Sequence, residues 1–417
     1  MPITFDDDSN SFEGANLAGE TLAGFDFSVF GGIITNNGTI EGPVSAIADV
    51  GIEITNTIGG VITKASGSPY AVDLLGNGGR NFFNDGSIVG VVRFGNGWDS
   101  MQNSGLIQGQ IDMGNGNDRL VNQIIPGIDG GETVGTITGR VNMGQGDDTI
   151  LNLGTMNDVN LGSGNDSYSV TDLFGGDLSA PSGSAGNVNG ASGNDELTGG
   201  THADKFYGAN GDDTLTGNGG KDQLFGNNGD DVISGGDGND KINGGSGSDT
   251  IDGGNNNDQI AGGGDDDFIL AGRGNDKVTG GRGDDYISGG QGNDRLAGND
   301  GDDTIDGGIG HDLLIGRSGA DVFVFSGNSG YDRIVDFSGD DQIELILASD
   351  NSVTYSDIIA NTVFESGNAI INLSGAINAG GPGGIIDRGS VLTLNNVALE
   401  DLDASAFILH NDILIAT

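Results

Sequence analysis

The sequence predicts an all-β protein: a parallel β-solenoid in which an N-terminal β-helix leads into a shorter-period solenoid, closed by a C-terminal β cap. Three observations carry that prediction. Residues 190–324 run in nonapeptides without insertion or deletion. A looser repeat of about 19–20 residues fills much of residues 33–178. Glycine supplies 83 of 417 residues against 6 prolines, without the Gly-x-y period of collagen. Periodic chains of this kind stack repeat on repeat and need no central core.

Residues 1–32 open with acids and then carry Phe25, Phe27, Val29 and Phe30, which suits an end cap or a docking strand. In residues 33–178, NDGSIVGVVRFGNGWDSMQ from Asn84 matches NSGLIQGQIDMGNGNDRLV from Asn103, with weaker copies near Asn36, Asn56 and Asn152. Apolar and polar residues alternate between Asn-Gly turns, the pattern of short strands with one buried face. An insertion around Pro126–Val134 interrupts one copy. Residues 179–189, SAPSGSAGNVN, are small and polar and read as a joint. Residues 325–417 begin with strands that cap the stack and end in a less regular strand-and-turn segment.

The nonapeptides hold the chemistry. The sixth position is Asp in all fifteen units and the eighth is apolar in all fifteen, from Leu197 to Phe323. Position 1 is Gly except at Ala271, and position 4 is Gly except at His202, Asn256 and Asp265. The glycines predict a tight turn with left-handed residues, which Asn and Asp tolerate best after Gly. The last three residues predict a short strand with one inward side chain. Two units make one coil, so alternate turns stack. One column then holds Asp195, Asp213, Asp231, Asp249, Asp267, Asp285, Asp303 and Asp321, with Asp195 at its head. The other holds Asp204, Asp222, Asp240, Asp258, Asp276, Asp294 and Asp312.

Carboxylates stacked at strand spacing repel by roughly 3 kcal/mol per pair at an effective dielectric of 20. A hard dication with six to eight oxygen ligands removes that repulsion and uses the turn carbonyls that strand pairing leaves over, which favours calcium over magnesium. The two columns have room for up to about 13 calcium ions. Upstream, the turns 95–99, 114–118, 144–148 and 162–166 are half-length echoes of the same turn. They either hold further calcium or simply close turns. At the corresponding earlier place Arg80 replaces the Asp and should end any calcium column.

The formal charge of −46, from 61 acidic and 15 basic residues, excludes nucleic acid and anionic membranes as partners. No cysteine is present, so no disulfide staples the chain. The first ten residues lack the basic and apolar parts of a Sec signal, and no apolar run is long enough to span a membrane.

The fifteen units resemble the RTX, or hemolysin-type, calcium-binding family, whose nonapeptide is Gly-Gly-x-Gly-x-Asp-x-U-x with U apolar. The resemblance implies a right-handed parallel β-roll with calcium between the turns of neighbouring coils, held by the position-6 Asp of each unit and nearby carbonyls. His202 departs from the pattern beside Asp204. Residues 319–345 look like the cap that follows the β-roll in serralysin-type domains. Family members leave the cell by type I secretion on an uncleaved C-terminal signal. Asp412, Ile413, Leu414 and Ile415 resemble the end of such a signal, and Arg388 is the one basic residue after Arg333. An extracellular or cell-surface location follows from the resemblance. The N-terminal half resembles the Asn/Gly-rich β-helices of bacterial surface and passenger proteins.

Such modules also ride on enzymes, yet the three histidines, His202, His311 and His410, form no HExxH, and GxSxG and GK[ST] are absent. Lys64, Arg80, Arg93, Arg119, Arg140, Trp98 and the Phe82–Phe83 pair could furnish a polysaccharide lyase, an epimerase or a carbohydrate-binding surface. Solvated or packed side chains are the plainer reading. The sequence therefore predicts no catalytic residues and a non-enzymatic surface-layer, matrix or adhesin component. Its expected partners are calcium, the type I secretion machinery, and either copies of itself or a cell-surface polysaccharide.

Overall fold

Strands this short cannot bury a face by pairing within one coil, so they pair with the same stretch of the next coil. The computed structural model describes residues 4–6, 11–16, 21–27, 32–46, 52–126, 132–170, 186–326, 329–346, 354–365, 368–372, 391–395, 397, 402 and 404–410. It divides into two compact units, Met1–Gly219 and Gly220–Thr417, a division that falls inside the nonapeptide run.

In the first unit Thr4–Asp6 and Ser11–Asn16 pair antiparallel. Parallel stacking then begins, Ser11–Asn16 on Gly32–Asn36 and Thr21–Phe27 on Thr39–Ala46. The stack thus includes part of the segment expected as a cap. The side chains of Phe25 and Phe27, with all of Val29 and Phe30, lie outside the described residues. A later coil shows the general plan: Arg80–Asn84, Ser87–Val89 and Val91–Phe94 lie on Ser100–Asn103, Leu106–Gln108 and Ile111–Asp112. Phe82, Ile88, Val92, Phe94, Met101, Ile107 and Ile111 point inward and are buried.

The expected insertion leaves the coil as a hairpin, Ile124–Pro126 against Glu132–Val134. The stack resumes in register with Thr136–Ile137 beneath Leu106–Gln108. Of the joint, residues 179–185 lie outside the described residues. Beyond it Val188–Ser192 pairs in parallel with Val159–Ser163, so the nonapeptides continue the upstream register within this unit.

In the nonapeptides of the second unit each strand lies on the one 18 residues earlier, for example Lys241 on Gln223 and Thr250 on Val232. Ile233, Ile242, Ile251, Ile260 and Ile269 form a thin core one side chain deep. The cap is built from the same move with longer coils. Tyr331–Ile334 stacks on Leu313–Ser318 and then receives Val391–Leu394, while Gln342–Ile346 stacks on Val322–Ser326 and then receives Phe407–His410. Asn368–Asn372 runs antiparallel to Val391–Leu394, and Thr362–Glu365 runs antiparallel to Asn368–Asn372. A short helix, Tyr355–Ala360, is the element that strand periodicity did not predict. Arg388 and the terminal Asp412, Ile413, Leu414 and Ile415 lie outside the described residues. Among the described residues no helix is long and apolar enough to cross a membrane.

Candidate metal centre

Each turn of the array delivers one Asp to a buried corner of the coil. In the second unit the backbone N–H of Asp231 donates to Oδ1 of Asp249 at 2.8 Å, and the rung repeats from Asp249 to Asp267 (2.9 Å), Asp285 (2.9 Å), Asp303 (3.0 Å) and Asp321 (3.0 Å). The opposite corner repeats it from Asp222 through Asp240, Asp258, Asp276 and Asp294 to Asp312, each at 2.8 Å. In the first unit Asp195 donates to Asp213 at 2.8 Å. All fifteen carboxylates are at most 5 % exposed. Register alone produces this: the 18-residue coil returns the sixth position of every second unit to the same corner.

Neither column ends where the nonapeptides end. Asp312 donates to Asp332 and Asp321 to Asp341, both at 3.0 Å. Nor does Asp195 head its column, because Asp166 donates to it at 2.8 Å. Above Asp166 stand Asp148, Asp118 and Asp99, joined by rungs of 2.7, 2.7 and 2.8 Å. Asp332 and Asp341 keep Gly two residues before and Ile two residues after, so a search for Gly-x-Asp-x-Ile finds them once a 20-residue coil is allowed.

The rung satisfies only Oδ1. The Oδ2 atoms of Asp195, Asp240, Asp249, Asp258, Asp267, Asp276, Asp285, Asp294, Asp303, Asp312 and Asp321 are buried without a hydrogen-bond partner. What faces them is oxygen. A Cβ built on Gly244 would strike Oδ2 of Asp249 and lie 2.8 Å from the carbonyl oxygen of Gly262, and Gly262 repeats this with Asp267 and Gly280. Gly244 is not left-handed, so position 1 serves by lacking a Cβ. Left-handed geometry belongs to positions 2 and 4, where Asn256 and Asp265 hold φ of 78° and 72°. Asp204 differs: its Oδ2 accepts the N–H of Gly200 at 2.9 Å, in the turn where His202 replaces glycine.

Burial, and after it the neighbouring carboxylates, lift the column acids far above the usual Asp range: Asp258 and Asp267 to about 8, and Asp249, Asp294 and Asp303 to about 7. Burial lifts Asp276 and Asp285 to about 6 and raises Asp195, Asp204 and Asp240 as well. It also lifts Asp118 to about 8, and Asp148 and Asp166 to about 7.

The upstream coils show what a neutral ladder looks like. At their other corner Nδ2 of Asn36 donates to Oδ1 of Asn56, and the chain continues through Asn84, Asn103 and Asn122 to Asn152 at 2.7–2.9 Å. It ends where Asn152 donates to the Tyr168 hydroxyl at 3.1 Å. An amide carries both donor and acceptor, so this ladder closes on itself; an ionised carboxylate carries acceptors only. The Asp columns therefore call for a cation.

Among the described residues no three His, Asp or Glu side chains converge as a metal cage. A cation at these corners would be held by carboxylates of successive turns together with backbone carbonyls. An all-oxygen donor set without imidazole or thiolate fits calcium and not a transition metal.

The match to a family model agrees with this chemistry. The family model for the RTX calcium-binding nonapeptide repeat matches overlapping segments from 182–215 to 288–323 and then 324–345. No curated protein matches the chain. Among solved structures, the chain is similar to a hyperactive, Ca2+-dependent, β-helical antifreeze protein from an Antarctic bacterium. That likeness has 21% identity over 76% of this chain and 84% of that one, with a TM-score of 0.28. It is also similar to the extracellular lipase LipA from Serratia marcescens, at 18% identity and a TM-score of 0.25. That match covers 59% of this chain and under half, 45%, of the lipase. Within residues 182–345, then, the chain carries multiple copies of the RTX calcium-binding nonapeptide repeat.

Proposed function

We propose that the position-6 Asp residues from Asp195 to Asp321 are the calcium ligands, and that the protein is a secreted, non-enzymatic structural component of the cell surface or matrix which folds on meeting calcium. The observation that carries this is the row of buried Oδ2 atoms with carbonyl oxygens facing them. Ionised and metal-free, such columns oppose folding; with calcium between the turns, binding energy becomes folding energy. Calcium sites of extracellular modules bind at about 10⁻⁴–10⁻³ M, so a chain of this kind stays expanded where free calcium is low and folds after export. Asp204 is the weakest member of the set.

Three of the residues that could have furnished a catalytic or sugar-binding surface are engaged otherwise, while Trp98 is exposed. Arg80 is buried, Arg93 pairs with Asp73 at 2.8 Å and lies over the Tyr70 ring, and Phe82 packs in the core. Copies of the chain or a surface polysaccharide remain the proposed partners, and type I secretion the proposed route. Circular dichroism of the full chain tests the calcium coupling. In chelator the strand signal should be well short of complete and should grow at millimolar calcium; a spectrum already complete in chelator overturns the proposal.

A further inference from the structure

The RTX match begins at residue 182, yet the column that includes Asp195 reaches back to Asp99. Rung spacing is unchanged over two long insertions, the hairpin between Asp118 and Asp148 and the segment between Asp166 and Asp195. After each of them the Asp is back at its corner. In the upstream rungs Oδ1 is used and Oδ2 is not: Oδ2 of Asp99, Asp118, Asp148 and Asp166 is buried and has no hydrogen-bond partner.

An independent observation says what belongs beside those oxygens. One coil above Asp99 the column position is Arg80, and its backbone N–H makes the usual rung to Asp99 Oδ1 at 2.8 Å. Its guanidinium turns into the corner, 1 % exposed for the residue as a whole. One terminal nitrogen donates to the Leu75 carbonyl at 2.9 Å. The other lies 3.5 Å from both the Asn96 carbonyl and Asp99 Oδ1. The head of the column thus already holds a cation on a carboxylate and two turn carbonyls, one from each of two successive turns. In-register counterparts of Asn96 lower in the column are Asn115, Gln145, Ser163 and Ser192.

We propose that calcium binds along this upstream column as well, between the successive turns of Asp99, Asp118, Asp148, Asp166 and Asp195, and that Arg80 ends it as a built-in cation in place of the last metal ion. The proposal rests on the calcium reading of the array and extends it into coils that do not carry the nonapeptide. The Asn ladder at the opposite corner of the same coils binds no metal, because its amides satisfy one another.

Trp98 is the one tryptophan of the chain, precedes Asp99 directly and is exposed. Tryptophan-sensitised terbium luminescence of the full chain therefore reports this end of the column and not the distant array. The folded wild type should give sensitised emission that calcium displaces. That emission should fall to background in Asp118→Asn and in Trp98→Phe, and Trp98→Phe should bind as much calcium as the wild type by equilibrium dialysis. Arg80→Asp, which completes the turn pattern at residues 76–80, should bind one more calcium ion per chain. No sensitised emission from a folded wild type, or emission that persists in Asp118→Asn, overturns the upstream sites. An unchanged calcium count in a folded Arg80→Asp overturns the role of Arg80. Dialysis separates the two levels: no calcium bound at all sinks the reading of the array, whereas calcium bound without a Trp98 signal sinks only this one.

Discussion

A carboxylate and an amide differ by one donor, and in this chain that difference separates two ladders of similar geometry. Asn36 to Asn152 form a row that is complete without a ligand, whereas Asp249, Asp258, Asp267, Asp276 and Asp285 each leave one buried oxygen unanswered. A proton can also answer it, though less well than a shared dication. Asp258 and Asp267 titrate near 8 in the folded, metal-free columns, and Asp249, Asp294 and Asp303 near 7, against about 4 for an unfolded Asp. A raised folded-state value means that the protonated form favours folding. This contribution is complete below about pH 4 and is lost as pH rises through about 6–8. In chelator, acidification from about pH 8 to about pH 5 should therefore restore part of the strand signal, while calcium affinity should fall over the same range. A chelator spectrum that does not change with pH would remove the columns from the account.

At the scale of the element, a strict period made the fifteen Asp residues, the 18-residue coil and the apolar core legible from sequence. Three kinds of feature were hidden. Asp332 and Asp341 follow coils lengthened to 20 residues, which breaks the period, and Asp336 stands where the unit of Asp341 would carry its first-position glycine. The upstream turns carry Phe94, Met113, Met143 and Leu161 where the nonapeptides carry that glycine, so only half of the motif is visible. Asp166 lies 29 residues before its partner Asp195, and no fixed period links them. Glycine at position 1 also had a different use from the one its type suggests: it makes room for the Oδ2 of the Asp in its own unit. Gly244→Ala would push a methyl group onto Asp249 Oδ2, so it should weaken calcium binding and cost on the order of 1–3 kcal/mol of stability with calcium present. Gly264→Ala is the matched control. Its added Cβ would meet nothing nearer than 4.0 Å and its φ is not left-handed, so its effect should stay within about 0.5 kcal/mol. Thermal melts of the two variants in calcium test the pair, and equal losses would mean that position 1 is not special.

For the whole molecule, a net charge of −46 is a condition to be neutralised, and the structure distributes the burden unevenly. The second unit carries Asp columns at both corners of its coils. The upstream coils of the first unit carry one Asp column, headed by Arg80, opposite a neutral Asn ladder. Chelation should therefore not unfold the chain as a single block. Strands of the second unit lose support on both sides, while Arg80–Asn84, Ser100–Asn103 and Arg119–Asn122 keep the Asn ladder and their apolar interior. Local stability read by amide exchange follows such differences in support. Hydrogen exchange of the full chain, followed by mass spectrometry as calcium is withdrawn, should show protection lost at Lys241–Ser246, Gln259–Gly264 and Lys277–Arg282 at higher free calcium than at those ladder strands. Simultaneous loss at one calcium concentration would mean that cooperativity outweighs the local chemistry of the corners. Earlier loss in the ladder strands would mean that the Asn row is not the metal-independent spine of the N-terminal coils.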